Sequence, residues 1–235
     1  FGCFGALSGN IFADGLNYEC EWYPESRRYY ANIVGKFGLQ VLNILKKLAD
    51  LDIELICSLH GPIYRRKEDI LACFKKYQTW GSYSPEDDEV VIFSGSVYGH
   101  TEEFSTLLAT LVAQRGIRNT KVLDISSIDV SYLLSEAFRA KVLVFASASY
   151  NGGLFTPMEN FLMDLVAHNF QNRDVFVVEN GSWALTAGKS MREIIGQLKK
   201  VNIAEETISI KSLLTKDQYA DVVAMADKIV ECLKK

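Results

Sequence analysis

The stretch Ser94-Gly95-Ser96-Val97-Tyr98-Gly99-His100-Thr101 sets three hydroxyls and two glycines between an apolar run, 90–93, and a helical pattern that opens at Thr101. Backbone N–H and side-chain O–H groups placed there can converge on one small anion at the positive end of a helix dipole. We read Ser94, Ser96, Val97, Tyr98, Gly99, His100 and Thr101 as a phosphate cradle. It has no Lys or Arg, which argues against the P-loop of triphosphate enzymes, and no Gly-x-Gly-x-x-Gly of the dinucleotide folds. The same residue types are also ordinary turn and capping residues, and Glu102 and Glu103 could replace an anion at the helix start unless both point outward. The cradle therefore needs corroboration from other parts of the chain.

Two further stretches supply it. Ser147, Ala148, Ser149, Tyr150, Asn151, Gly152 and Gly153 follow a second apolar run, and their Gly-Gly pair can bring backbone close to a ligand edge and reorient at little steric cost. Taken alone, Asn-Gly is a common turn. Asn180, Gly181, Ser182 and Trp183 follow a third run, where a single loop tryptophan is most often hydrophobic cover. Together the three stretches describe a site for a mononucleotide with a flat aromatic head, its phosphate in the cradle and Tyr98, Tyr150 and Trp183 available to flank the ring. Flavin mononucleotide (FMN) is the natural candidate.

The elements needed to position these loops are legible. Apolar runs predict strands at 90–93, 120–125, 141–146, 174–179 and 206–210, alternating with helical patterns at 101–115, 130–139, 156–168, 187–200 and 215–234. Thr215 and Gln218 form a capping box at the last helix. Five strands alternating with five helices predict an α/β, doubly wound parallel sheet, whose ligands bind beyond the carboxyl ends of the strands; for the order 2-1-3-4-5, that of a flavodoxin-like sheet, the site lies between the first and third. The loops after the second and fifth strands show no comparable mixture of residues.

Ahead of this domain (89–235) the polar stretch 81–88 reads as a linker, and residues 1–80 as an incomplete α/β segment. Residues 1–24 read as loop and irregular structure. A helix is predicted over 25–49, a short strand over 53–59 halted by His60-Gly61-Pro62, and a second helix carrying Ile70, Leu71, Phe74 and Tyr77 on one face. The chain opens on Phe1 rather than Met, so it is expected to begin inside something longer. A formal net charge of −4 without a dense basic tract disfavours nucleic acid. No apolar run approaches ~18 residues, which argues against a membrane span. Five widely spaced cysteines without Cys-x-x-Cys fit reduced thiols in a cytoplasmic protein.

Ser-Gly-Ser-Val-Tyr-Gly-His-Thr-Glu, Ser-Ala-Ser-Tyr-Asn-Gly-Gly-Leu-Phe-Thr-Pro and Gly-Ser-Trp resemble, in order, three loops of the flavodoxin-like domain of the flavodiiron proteins. Upstream, Arg-Arg-Tyr-Tyr-Ala-Asn-Ile-Val-Gly-Lys (27–36) and Ile-Cys-Ser-Leu-His-Gly-Pro-Ile-Tyr-Arg (56–65) resemble the end of that family's metallo-β-lactamase-like domain. The resemblance implies FMN, with a carbonyl in 151–153 accepting from N5 of the reduced flavin. It places His60 as the last histidine ligand of a non-haem diiron centre. It further implies reduction of dioxygen or nitric oxide, head-to-tail homodimers, and an electron donor that is rubredoxin-like or an NADH-linked reductase. The family's His-x-Glu-x-Asp-His run and its later aspartate are absent from these residues, so the chain alone is expected to bind flavin without completing the diiron site. Two alternatives stand beside this reading: a flavodoxin-like carrier or docking domain without catalysis, and an NAD(P)H-dependent quinone or FMN reductase of the same fold.

Overall fold

A computed structural model of the chain describes residues 1–5 and 9–234 and divides into two units, Phe1–Glu86 and Asp87–Lys235. In the first unit the region expected to be one helix, 25–49, is a succession of helical segments of changing pitch, and helical structure already begins in the preceding stretch expected to be irregular. A π-helical turn, Tyr18–Trp22, leads into α1 (Tyr23–Tyr29), then a second π turn, Tyr30–Val34, a 3-10 turn, Gly35–Phe37, and α2 (Gly38–Leu48). Departures from α pitch mark places where something other than the local ladder decides the backbone. Here that is aromatic packing: the Tyr30 ring is fully buried, 5.3 Å from Tyr77 and 5.2 Å from Trp80. The Tyr83 hydroxyl donates to the Gly35 carbonyl at 2.8 Å and accepts from the Gly38 N–H at 3.4 Å.

The strand expected over 53–59 shrinks to β1 (Ile56–Cys57), paired antiparallel with β2 (Ile63–Tyr64) across the His60-Gly61-Pro62 turn. α3 (Lys67–Gly81) closes the unit. Residues 82–86 are tied back into it, because the Glu86 carboxylate is buried against Arg27 at 3.0 Å and also takes Lys76 and the Trp80 indole N–H.

The second unit contains β3 (Asp87–Gly95), α4 (His100–Gln114), β4 (Lys121–Asp124), α5 (Val130–Arg139), β5 (Ala140–Tyr150), β6 (Gly153–Leu154), α6 (Thr156–Ala167), β7 (Gln171–Asn180), α7 (Ala187–Ile195), β8 (Lys199–Ile210) and α8 (Tyr219–Lys234). The main sheet runs β4-β3-β5-β7-β8, every neighbour parallel, with β6 folded back antiparallel on the end of β5. This is the 2-1-3-4-5 order of a flavodoxin-like sheet.

Alternation along each strand explains the apolar runs. Val90, Ile92, Val142, Val144 and Val178 meet Phe104 and Leu108 of α4 and Val222, Ala226 and Ile229 of α8 in one buried cluster. The intervening Val91, Phe93, Leu143, Phe145 and Val177 are buried as well, and Phe93 and Phe145 pack on Phe161 of α6.

Several boundaries differ from the periodicity, among them the start of α8, at Tyr219 rather than 215, and two differ most. α7 stops at Ile195, where the Gly196 N–H turns back to the Arg192 carbonyl, and β8 begins at Lys199, well before the apolar residues that signalled it. As the sheet's last strand, β8 exposes much of its first half, so no apolar run marks it. Among the described residues no helix is long and apolar enough to cross a membrane.

Candidate functional site

Strand register decides which loops meet. Gly95 pairs with Ser147, Ala148 with Asn180, and Asn180 with Ile210, so β3, β5, β7 and β8 end along one rim. A cleft of about 320 Å³ lies there, at the small end of the range for small-molecule sites. Its walls are Ser96, Val97, Tyr98, His100 and Thr101 after β3, Ala148, Ser149, Tyr150 and Asn151 at the end of β5, Asn180, Gly181 and Ser182 after β7, and Ser212 after β8. All three predicted stretches therefore reach a single cavity.

The β3–α4 connection owes its shape to Gly99, whose φ of +95° suits glycine and which stands immediately before the first residue of α4. The Gly99 N–H donates to Ser96 Oγ at 3.0 Å and the Gly99 carbonyl accepts from the Glu103 N–H at 2.9 Å. Among the described residues, no acceptor takes the N–H groups of Val97, Tyr98, His100 or Thr101. Four donors thus crowd the positive end of a 15-residue helix. Glu102 and Glu103 are exposed and line a separate groove with Thr106 and Thr110, so neither carboxylate replaces an anion in the cleft. None of the lining residues is Asp, Glu, Lys or Arg.

Six of the predicted residues do not line the cleft. Ser94 is buried and accepts from the Ser105 hydroxyl at 3.0 Å, and Ser147 is buried with its hydroxyl turned to the Ala148 carbonyl. Gly99 lines the separate groove of Glu102 and Glu103. Gly152 and Gly153 belong to a hairpin in which Tyr150 pairs with Gly153, and Asn151 and Gly152 have φ of +50° and +74°. Positive φ at both central residues is the type I′ turn for which Asn-Gly is preferred. Trp183 projects wholly into solvent beside Ser182. Ser149 does line the cleft, but its Oγ also accepts from the N–H groups of Thr186 and Ala187 at 3.0 and 3.2 Å, capping α7 from another loop.

Ser212 is the wall residue that the sequence does not announce. It follows the fifth strand without glycine, aromatic or paired hydroxyl beside it, and only its place in the fold brings it to the rim. Nearby, at the end of β4, burial would raise the Asp124 carboxyl, but hydrogen bonds from the Ser126 hydroxyl and N–H and from the Ser127 hydroxyl outweigh it and hold the group below its ordinary value.

In the first unit, His60 is exposed, its ring 6.0 Å from that of Tyr29 and its carbonyl accepting from the Cys3 N–H. Among the described residues no three His, Cys, Asp or Glu side chains are grouped to hold a metal ion. One exposed imidazole does not by itself make a diiron centre, which needs several His and carboxylate ligands.

Fold and topology define the class of the second unit: a flavodoxin-like domain. No family model matches the chain. Individual relatives do. Rubredoxin-oxygen oxidoreductase of Megalodesulfovibrio gigas is 25% identical over 210 residues, 88% of this chain and 52% of the relative. An anaerobic nitric oxide reductase flavorubredoxin of Shigella flexneri is 21% identical over 90% of this chain and 43% of its own length. The crystal structure of the flavodiiron protein from Giardia intestinalis superposes with a TM-score of 0.89 at 21% identity, covering 100% of this chain and 58% of that one. These relatives and structural neighbours, which cover most of this chain, are flavodiiron proteins, as the motifs predicted. The chain spans about half the length of the curated relatives it matches.

Proposed function

We propose that this chain is the FMN-binding, electron-transferring part of a flavodiiron-type reductase of dioxygen or nitric oxide, the remaining metal ligands coming from sequence outside these residues. One observation carries the reading: four acceptor-less N–H groups at a helix start open into a cleft without charged side chains, at the switch point of the sheet. A dianionic phosphate suits those donors, and the uncharged remainder of the wall suits the ribityl chain and ring. Tyr98 and Tyr150 line the cleft while exposing ring surface, and Trp183 stands exposed beside it, so all three are available to cover the flat ring. FMN bound there would supply one- and two-electron redox chemistry; the protein's part is to hold the phosphate, enclose the ring and limit water around it. The electron donor is taken to be a rubredoxin-like protein or an NADH-linked reductase, and the complete protein a homodimer.

The test is titration of the purified, flavin-free chain with FMN. Quenching of FMN fluorescence at one equivalent, and at 100-fold excess over Kd a stabilisation of about 2.7 kcal/mol, equivalent to roughly 5–10 °C in Tm, support the reading. A chain that takes up no FMN and gains no stability from it refutes the reading. Iron content and oxygen or nitric oxide consumption of the protein carrying its upstream half then separate a reductase from a carrier.

A further inference from the structure

Beyond the three loops read from sequence, a fourth connection meets the cleft. Ser212, after β8, is held there by a reciprocal pair of hydrogen bonds: its N–H donates to Asn180 Oδ1 at 3.1 Å and its carbonyl accepts from Asn180 Nδ2 at 3.0 Å. Its hydroxyl lies 2.9 Å from that of Ser182, and the backbone carries a φ of +68°, which L-residues rarely adopt. A non-glycine residue kept in that region costs about 1 kcal/mol or more and persists where its surroundings over-determine it. The Asn180 amide supplies such surroundings, and its own residue sits on the cleft wall.

We infer that Ser212 is a further binding and positioning residue of the flavin cleft, presenting with Ser182 a hydroxyl pair to the ring end of the ligand and fixing the β7–α7 connection in place. This rests on the FMN reading above. The assignment to the ring end follows from strand order. The phosphate cradle follows β3, whereas Ser182 and Ser212 follow β7 and β8, two and three strands away. At ~4.8 Å per strand the hydroxyl pair lies about 10–14 Å along the rim from the cradle, too far to share the phosphate. Of two hydroxyls 2.9 Å apart one can donate to the other, and the pair still offers one O–H donor and acceptor lone pairs to the polar edge of a flat heterocycle.

The experiment uses Ser212→Gly and Ser212→Ala in the whole chain, titrated with FMN and with riboflavin, which lacks the phosphate. Both variants lose the hydroxyl and keep the backbone bonds to Asn180, but only glycine relieves the left-handed backbone, so Ser212→Gly is expected to melt at or above the wild-type temperature. Both are expected to weaken FMN and riboflavin by the same factor, about three- to tenfold for one net hydrogen bond, and to shift the visible absorption bands of the bound flavin. Thr101→Val, in the cradle, is expected to weaken FMN alone. Wild-type affinity in both Ser212 variants overturns the inference, as does a loss confined to FMN, or a loss in Ser212→Ala that Ser212→Gly does not share. If the wild-type chain binds neither flavin, the functional reading itself is overturned, and that outcome is distinguishable from the others.

Discussion

Replacing Gly99 by Ala tests the phosphate cradle most directly. Gly99 has φ +95° and ψ −24°, and a Cβ added there meets nothing within 4 Å. Steric collision is therefore not the issue; the backbone conformation is. An L-residue in this region costs about 1–2 kcal/mol, and that cost must appear somewhere. If the loop keeps its shape in the flavin-free protein, the cost is taken from folding and Tm falls by roughly 2–8 °C. If the loop relaxes, the N–H groups of Val97 to Thr101 no longer converge and must be forced back on binding. FMN then weakens by roughly 5–30-fold, at 1.4 kcal/mol per tenfold. The two effects share one total, so a small change in one requires a larger change in the other. Parallel titrations with FMN and riboflavin, together with thermal melts, measure both, and riboflavin should be little affected. Gly152→Ala is the control: it too has positive φ, +74°, with open space around it, but it belongs to a hairpin turn and does not line the cleft. It should lower Tm while leaving the FMN-to-riboflavin affinity ratio unchanged. An equal loss of both flavins in Gly99→Ala, or no change in either Tm or affinity, would refute the reasoning.

Trp183→Ala should leave the folding stability within about 0.5 kcal/mol of wild type, because the ring is fully exposed; weaker flavin binding with unchanged melting, read in the same titration, places the ring over the ligand, and unchanged binding removes it from the site. Arg173→Ala should destabilise the second unit by about 2 kcal/mol or more, since the buried guanidinium donates to the carbonyls of Phe138, Ala140, Gln171 and Asn172; urea unfolding measures this, and a loss below 0.5 kcal/mol contradicts it. Native alkylation should modify exposed Cys20 and Cys57 and spare buried Cys3, Cys73 and Cys232, with all five reacting in urea, as intact mass will show. Burial pushes the Cys73 thiol up from 9.0 to about 12; a folded value above the unfolded one gives stability that is complete below pH 9 and lost as pH rises toward 12, so the stability gap between wild type and Cys73→Ala should narrow over that interval.

Periodicity carried much of the second unit because its inner strands are buried on both sides: Val90 to Phe93 and Val142 to Ala146 cannot alternate with polar residues when both faces meet helices. The same logic failed at β8, whose first half lies exposed at the sheet's edge and offers no apolar run to read. It failed again over 25–48, where Tyr30, Tyr77, Trp80 and Tyr83 impose π and 3-10 turns on a stretch whose own spacing is evenly helical. In the site, residue types pointed to the right loops without saying which hydroxyls remain available. Ser94 is engaged by Ser105 and Ser147 is turned inward, while Ser149 caps a helix that begins 38 residues further on.

By itself the amino-acid order determined the alternation of strands and helices and the positions of the hydroxyl- and glycine-rich turns. These follow from burial patterns and turn propensities that act within about ten residues of each other. Tertiary structure decided which atoms of those turns face the cleft, and it brought Ser212 to the wall through bonds to Asn180, 32 residues away. Whether a polar group is spent on the fold or left for a ligand depends on the neighbour that satisfies it, and that neighbour is placed by the packing of the whole sheet.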